Sequence, residues 1–121
     1  MSIAKVVGGV LALGLYVAAS ATWAAEGPHT YSADDVAAGK VVYTGTCIAC
    51  HGANGKGLLP GTPDFTKPGG VLSLSDAVLE DRIIHGFSTG DASMPPDGGN
   101  TSLQESDIKH VIAYLHATFG H

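Results

Sequence analysis

Two cysteines three residues apart, with a histidine directly behind the second, form the pattern Cys47-Ile48-Ala49-Cys50-His51, and the chain has no other cysteine. Four chemistries compete for it. A structural disulfide would close so short a loop that it would constrain the unfolded chain little. A thioredoxin-like redox pair needs a strand–helix–strand setting, and no strand-like run surrounds the motif. Zinc asks for four ligands, and two thiolates with one imidazole leave the set short, with no second cysteine pair to complete it. Covalent haem attachment is the standard reading of C-x-x-C-H. At i, i+3 and i+4 one helical face presents both sulfurs and the imidazole. Two thiols can then meet the haem vinyl groups while the imidazole reaches the iron.

If His51 is one axial ligand, the chain must offer another. Apart from Met1, the only methionine is Met94, in the stretch Ala92-Ser93-Met94-Pro95-Pro96-Asp97-Gly98. A thioether is a soft donor that favours ferrous iron and raises the potential, and two prolines stiffen the backbone behind it. A methionine among Gly, Asp and Ser has little core to fill, which weakens the alternative of simple packing. Rival donors are His29, His85, His110, His116 and His121, of which His85 stands nearest to Met94 in sequence. The second ring nitrogen of His51 calls for an orienting acceptor. The carbonyl of Pro63 is the first choice and that of Pro60 the second, with Phe65, Leu58 and Leu59 as candidate haem-wall residues.

These groups need elements to carry them. Ser32 followed by Asp35 is a capping-box pattern, and it predicts a helix from about 33 to 46 that carries Gly39 and Tyr43 on one face. A glycine inside a helix usually has a packing reason, and here it suggests a close crossing. Residues 52–70 hold six Gly and three Pro in nineteen positions, so no regular element survives there. Ser73 or Ser75 would cap a third segment, with Val78, Leu79, Ile83 and Ile84 facing inward and Gly86 as its stop. Residues 87–102 read as a second loop. Ile108, Val111, Ile112 and Leu115 stand at i, i+3, i+4 and i+7, the stripe of an amphipathic helix. The plan is all-α, three to four helices joined by two long Gly/Pro-rich loops. Loops of that length need something to wrap.

At the N-terminus no charge appears between Lys5 and Glu26, and an apolar run ends in the small-residue stretch Ala18-Ala19-Ser20-Ala21-Thr22. Residues 1–25 therefore read as a secretory signal, cleaved after Ala24 or Ala25; a retained membrane anchor is the alternative. Residues 26–121 would form the mature domain. It would keep five basic and eleven acidic residues, a net charge of −6. That sign excludes a phosphate-binding nucleic-acid partner and suits docking onto a basic patch of another protein. A domain this small commonly needs a disulfide, metal or cofactor as a staple.

Together these stretches resemble a class I c-type cytochrome. The segment GKVVYTGTCIACHG is similar to the family's N-terminal helix and attachment motif, and GANGKG followed by TPDF to its Gly-rich haem loop. IIHG followed by MPP resembles its third helix and methionine loop, and DIKHVIAYL its C-terminal helix. The resemblance implies a cytochrome c-like fold wrapped around one covalently bound haem c. It also implies thioether bonds at Cys47 and Cys50, axial ligands at His51 and Met94, and a crossing of Gly39 and Tyr43 against Tyr114 and Leu115. Two features depart from the pattern. Gln104 stands where a small capping residue is usual, which bears on the start of the last helix. The mature chain has only Lys40, Lys56, Lys67 and Lys109, so a lysine-ringed docking face is missing.

The expected function is one-electron transport in the periplasm, without enzymatic turnover, between redox partners that present basic surfaces. A cytochrome subunit of a periplasmic dehydrogenase or membrane oxidase is the alternative. A haem-based sensor or peroxidase with a labile Met94 is a further one.

Overall fold

The computed structural model describes residues 14 and 30–120. The calls on the signal or anchor at 1–25, and on His29 and His121, lie outside the described residues. No helix among those described is long and apolar enough to cross a membrane.

Helix α1 spans Ala33–Val42 and starts on the expected capping box. The Asp35 amide donates to Ser32 Oγ at 3.1 Å, and the Ser32 amide donates back to the Asp35 carboxylate at 3.3 Å. The Ser32 hydrogen bond, ahead of the nearby His110, holds the Asp35 carboxyl below the usual range. α1 does not run on to residue 46 as an α-helix. From Tyr43 to Cys47 the chain widens into one π-turn, in which the Ile48 amide donates to the Tyr43 carbonyl, and α2 (Ile48–His51) follows. The Thr44 hydroxyl donates to the Lys40 carbonyl at 2.9 Å. Such back-bonding loosens a helical ladder, and Gly45 adds a poor helix former one residue on.

Helix α3 covers Asp76–His85 and α4 covers Glu105–Phe119. Of the two serines proposed to cap α3, Ser75 does so, accepting from the Val78 amide, whereas Ser73 donates to the Gly70 carbonyl at 2.6 Å. Leu79 is buried, and Ile83 and Ile84 are half-buried, but Val78 is 40 % exposed and faces outward. It sits about a quarter-turn round the helix from Leu79, off the apolar stripe. Gln104 serves as the N-cap of α4: its amide donates to the Asp107 carboxylate at 2.8 Å, so an acid in the first turn supplies what the larger residue does not.

One feature adds to the all-α plan. Inside the second loop, β1 (Phe87–Thr89) and β2 (Ala92–Met94) pair as an antiparallel hairpin, with Phe87 opposite Met94. Gly90, at φ 53, takes the first central position of its two-residue turn, as a tight hairpin turn favours. A tight turn follows at Pro96–Gly99, with Asp97 at φ 53 and Gly98 at φ 60.

The most extensive contact between elements is that of α1 with α4, and it passes through Gly39. A Cβ built there would meet the His110 carbonyl oxygen and the Tyr114 Cβ well inside contact distance. Four residues on, the Tyr43 ring packs 5.2 Å from the Tyr114 ring and 5.7 Å from the Phe119 ring. The crossing implied by the resemblance is present, with Leu115 in the same cluster. Gly39→Ala sets a helix-propensity gain of about 1 kcal/mol against overpacking on backbone that cannot yield, which costs up to about 3 kcal/mol. We expect a net loss of roughly 2 kcal/mol in urea unfolding; a midpoint that rises would mean the crossing is not tight.

Candidate functional site

Tyr43 also reaches the attachment motif. Its hydroxyl donates to the Gly52 carbonyl, the first residue past His51, at 2.5 Å, and burial pushes its pKa up to about 12. The first loop folds back on the end of α2: the Gly57 amide donates to the His51 carbonyl and the Leu58 amide to the Cys50 carbonyl, both at 2.8 Å. Unsatisfied carbonyls at a helix terminus are thereby paired, and the motif is held between α1 and the loop.

These elements enclose a cavity of about 350 Å³ with mainly apolar walls, a size typical of small-molecule and cofactor sites. Cys47, Cys50 and His51 line one part of it. Met94, delivered by β2, lines another, and Pro63 and Phe65 come from the first loop. Leu79 and Ile83 of α3 and Val111 and Leu115 of α4 contribute apolar wall. All six residues singled out as cofactor-binding therefore border one space.

Details differ from the sequence expectations. Leu59 lines the cavity, but Leu58 does not; its side chain is 65 % exposed. The carbonyl hydrogen bond expected from Pro63 or Pro60 to His51 is not formed, because the buried Nδ1 has no partner. Phe65 instead stacks on the imidazole, ring centroids 4.6 Å apart and 15° from parallel, while Pro63 and Pro60 remain exposed. The rival histidines stand elsewhere. His85 Nδ1 lies 3.0 Å from an Asp81 carboxylate oxygen, His116 Nε2 3.0 Å from Asp76, and His110 Nε2 3.5 Å from Asp35. None of the three borders the cavity.

The chemistry of the donors separates the four readings of the motif. Both cysteines are free. Burial, then the neighbouring Cys50, pushes the Cys47 thiol up to about 11. A redox pair needs the opposite shift, since the thiolate is the reactive form. Among the described residues no three of His, Cys, Asp and Glu converge as a metal cluster, so the zinc reading finds no ligand set. Burial lowers the His51 pKa and so favours neutral imidazole, the form that binds metals. The apolar cavity, two thiols, a neutral imidazole and a thioether fit haem c, which Cys47 and Cys50 would attach and His51 and Met94 would ligate.

Two signals in the second loop were not read from the sequence. Asn100 Nδ2 donates to the Thr46 hydroxyl at 2.9 Å, which ties the segment after Met94 to the π-turn. Gly86, at φ 77, lets the Met94 carbonyl approach where a Cβ would stand 2.6 Å away. The Gly86 stop was legible, but its second role depends on a hairpin that was not.

The sequence pattern of the family described as cytochrome c oxidase, cbb3-type, subunit III matches residues 34–115, a stretch that contains every residue lining the cavity. The chain is 31 % identical over 84 residues to cytochrome c6 of Chlorolobion braunii, covering 68 % of this chain and 89 % of that protein. It is 29 % identical over 81 residues to cytochrome c-555 of Chlorobaculum tepidum, covering 67 % and 74 %. To the cbb3-type cytochrome c oxidase subunit CcoP of Rhodobacter capsulatus it is 31 % identical over 93 residues, 73 % of this chain but 31 % of that subunit.

Proposed function

The chain belongs to the class I monohaem c-type cytochromes and is an electron-transfer protein; from that premise we propose that it shuttles single electrons between extracytoplasmic partners through one haem c. The observation that carries this reading is the meeting of Cys47, Cys50, His51 and Met94 around one apolar cavity, although Met94 comes from a separate hairpin.

Haem c supplies the one-electron iron couple, and the protein supplies attachment, ligands and environment. Cys47 and Cys50 would provide the thiols for two thioether bonds. His51 would hold the iron from α2, with its ring stacked on Phe65, and Met94 would hold it from β2. With two protein ligands on the iron, no coordination site would be left for a substrate, in keeping with electron transfer rather than turnover. Leu79, Ile83, Val111 and Leu115 exclude water. An apolar shell disfavours the extra charge of ferric iron, and a thioether ligand acts in the same direction, so both raise the potential.

The test is direct. Protein recovered from the exported fraction should exceed its polypeptide mass by one haem, and its pigment should stay with the chain in acidified acetone. A bare polypeptide mass, or pigment that the solvent extracts, would overturn the reading. The apolar run ahead of Glu26 supports export and a periplasmic location, and the acidic balance of the mature chain supports partners with basic docking surfaces.

The match to an oxidase subunit family favours one second reading, that of a dedicated cytochrome subunit of a membrane complex. Sequencing the mature N-terminus separates the two. A start at Ala25 or Glu26 fits the free carrier, whereas a retained leader fits the tethered subunit.

A further inference from the structure

On its N-terminal side Met94 is held by a hairpin whose other strand, β1, is exposed along its length. On its C-terminal side the chain passes Pro95 and Pro96 and then takes three successive left-handed residues, Asp97, Gly98 and Gly99, at φ 53, 60 and 86. Asp97 is the only non-glycine residue in that region among those described. A side chain there costs free energy and persists only where the surroundings hold it. A single side-chain hydrogen bond supplies a holdfast: Asn100 Nδ2 donates to the Thr46 hydroxyl oxygen at 2.9 Å, across 54 residues of sequence. Both of its ends are aimed. The Ser102 amide donates to Asn100 Oδ1 at 3.1 Å, so Nδ2 is the end left to face Thr46. Thr46 stands in the π-turn, directly before Cys47, and borders the cavity. Its methyl meets the left-handed turn, where a Cβ built at Gly98 would lie 3.1 Å from Thr46 Cγ2. The bond therefore joins the backbone that carries Met94 to the backbone that carries the cysteines and His51. A π-turn within a helix is often found at a functional site.

We propose that Thr46 and Asn100 form a latch on the sixth ligand: their hydrogen bond sets how rarely Met94 leaves the iron, and so closes the protein to small external donors such as azoles. The inference rests on the haem reading above and adds two positioning residues from outside the attachment and ligand set. Local opening draws only on the interactions of the segment that moves. When the latch breaks, the segment from Met94 to Asn100 loses its tie to the π-turn, and Asp97 is free to leave its strained conformation. Opening is thus confined to one side of the iron. On the other, the Cys50 and His51 carbonyls stay paired with the first loop. In the exchange the sulfur leaves with its electron pair and a ring nitrogen brings one, so the iron keeps its oxidation state.

Imidazole is the probe. Added in excess to the haem-loaded ferric protein in stopped flow, it binds no faster than Met94 leaves, so the observed rate levels off at the release rate. Thr46→Val and Asn100→Ala should each raise that plateau roughly three- to tenfold, the worth of one hydrogen bond. The double variant should raise it no further, because both changes remove the same bond. Thr46→Ser, which keeps the hydroxyl, should stay near the native rate. Gly39→Ala is the control for lost stability: it should lower the unfolding midpoint and leave the plateau native. A native plateau in both single variants, single effects that multiply in the double variant, or an equal rise in Gly39→Ala would each overturn the proposal. Native protein without haem would instead sink the haem reading, and imidazole binding that Met94→Ala leaves unchanged would sink the Met94 assignment. Both of those results are visible before any latch variant is made.

Discussion

Replacing Cys47 and Cys50 together by Ala should abolish haem retention and cost the chain its cooperative fold. The first effect follows from the motif: with neither thiol, no thioether bond can form, and any pigment left should extract into acidified acetone. The second follows from the cavity. Left unfilled, a cavity of about 350 Å³ strips the apolar wall of packing partners on one side. A small domain has only a few kcal/mol of net stability to lose. The core is thin, two small clusters around Tyr43 and Leu79, and both share residues with the cavity wall. The pigment-free double variant should retain part of its far-ultraviolet helix signal, because the capping of α1 and the stripe of α4 are local. Its near-ultraviolet signal and its sharp thermal transition should be lost. A colourless double variant that unfolds cooperatively at the wild-type midpoint would show that the wall packs without a cofactor.

How much of this arrangement could be read in advance depended on how local its causes are. The cap at Ser32 and the stripe of α4 are short-range patterns, and the structure places them where their spacing indicates. Gly39 was legible as a crossing because glycine at a helix centre needs a reason, and the approach of His110 supplies it. The misses are cases where neighbours distant in sequence decide. Strands of three residues are too short to show a period of two, although the Thr89-Gly90-Asp91-Ala92 turn carried a usable hairpin signal. Val78 and Ile84 look alike in sequence, but only Ile84 packs against the cluster of Leu79, Ile108 and Ile112. Pro63 looked like an acceptor for His51 because a stiff carbonyl would suit the role. Its orientation depends on how Phe65 seats against the imidazole and the Phe119 ring, and no local pattern encodes that. The π-turn at Tyr43–Cys47 is a similar case, since it changes the aim of the motif by one residue's worth of rotation without altering the helical pattern.

Met94→Ala should leave the haem attached, turn the spectrum high-spin and lower the potential. The side chain is half-buried and borders the cavity. Its main chain is fixed by pairing with Phe87 on one side and by Pro95 and Pro96 on the other. The Asn100–Thr46 hydrogen bond then pins the following segment to the π-turn. Removing the thioether therefore removes a donor from a fixed frame, and among the described residues no histidine besides His51 borders the cavity to replace it. His85 is the nearest rival in sequence, but it is exposed and engaged with Asp81, so His85→Ala should change neither spectrum nor potential. Loss of the soft ligand withdraws the preference for ferrous iron. Since each tenfold change in that preference reads as about 59 mV for one electron, a drop of roughly two such steps or more is expected. The opened coordination position should also bind carbon monoxide rapidly in the reduced state, whereas the native protein should bind it slowly. Rapid binding by the native protein would point instead to a labile Met94 and a sensor or peroxidase role. A Met94→Ala protein with native reduced spectrum and potential would assign the sixth ligand to another residue, because nothing else in the frame around Met94 could hide the loss of its sulfur.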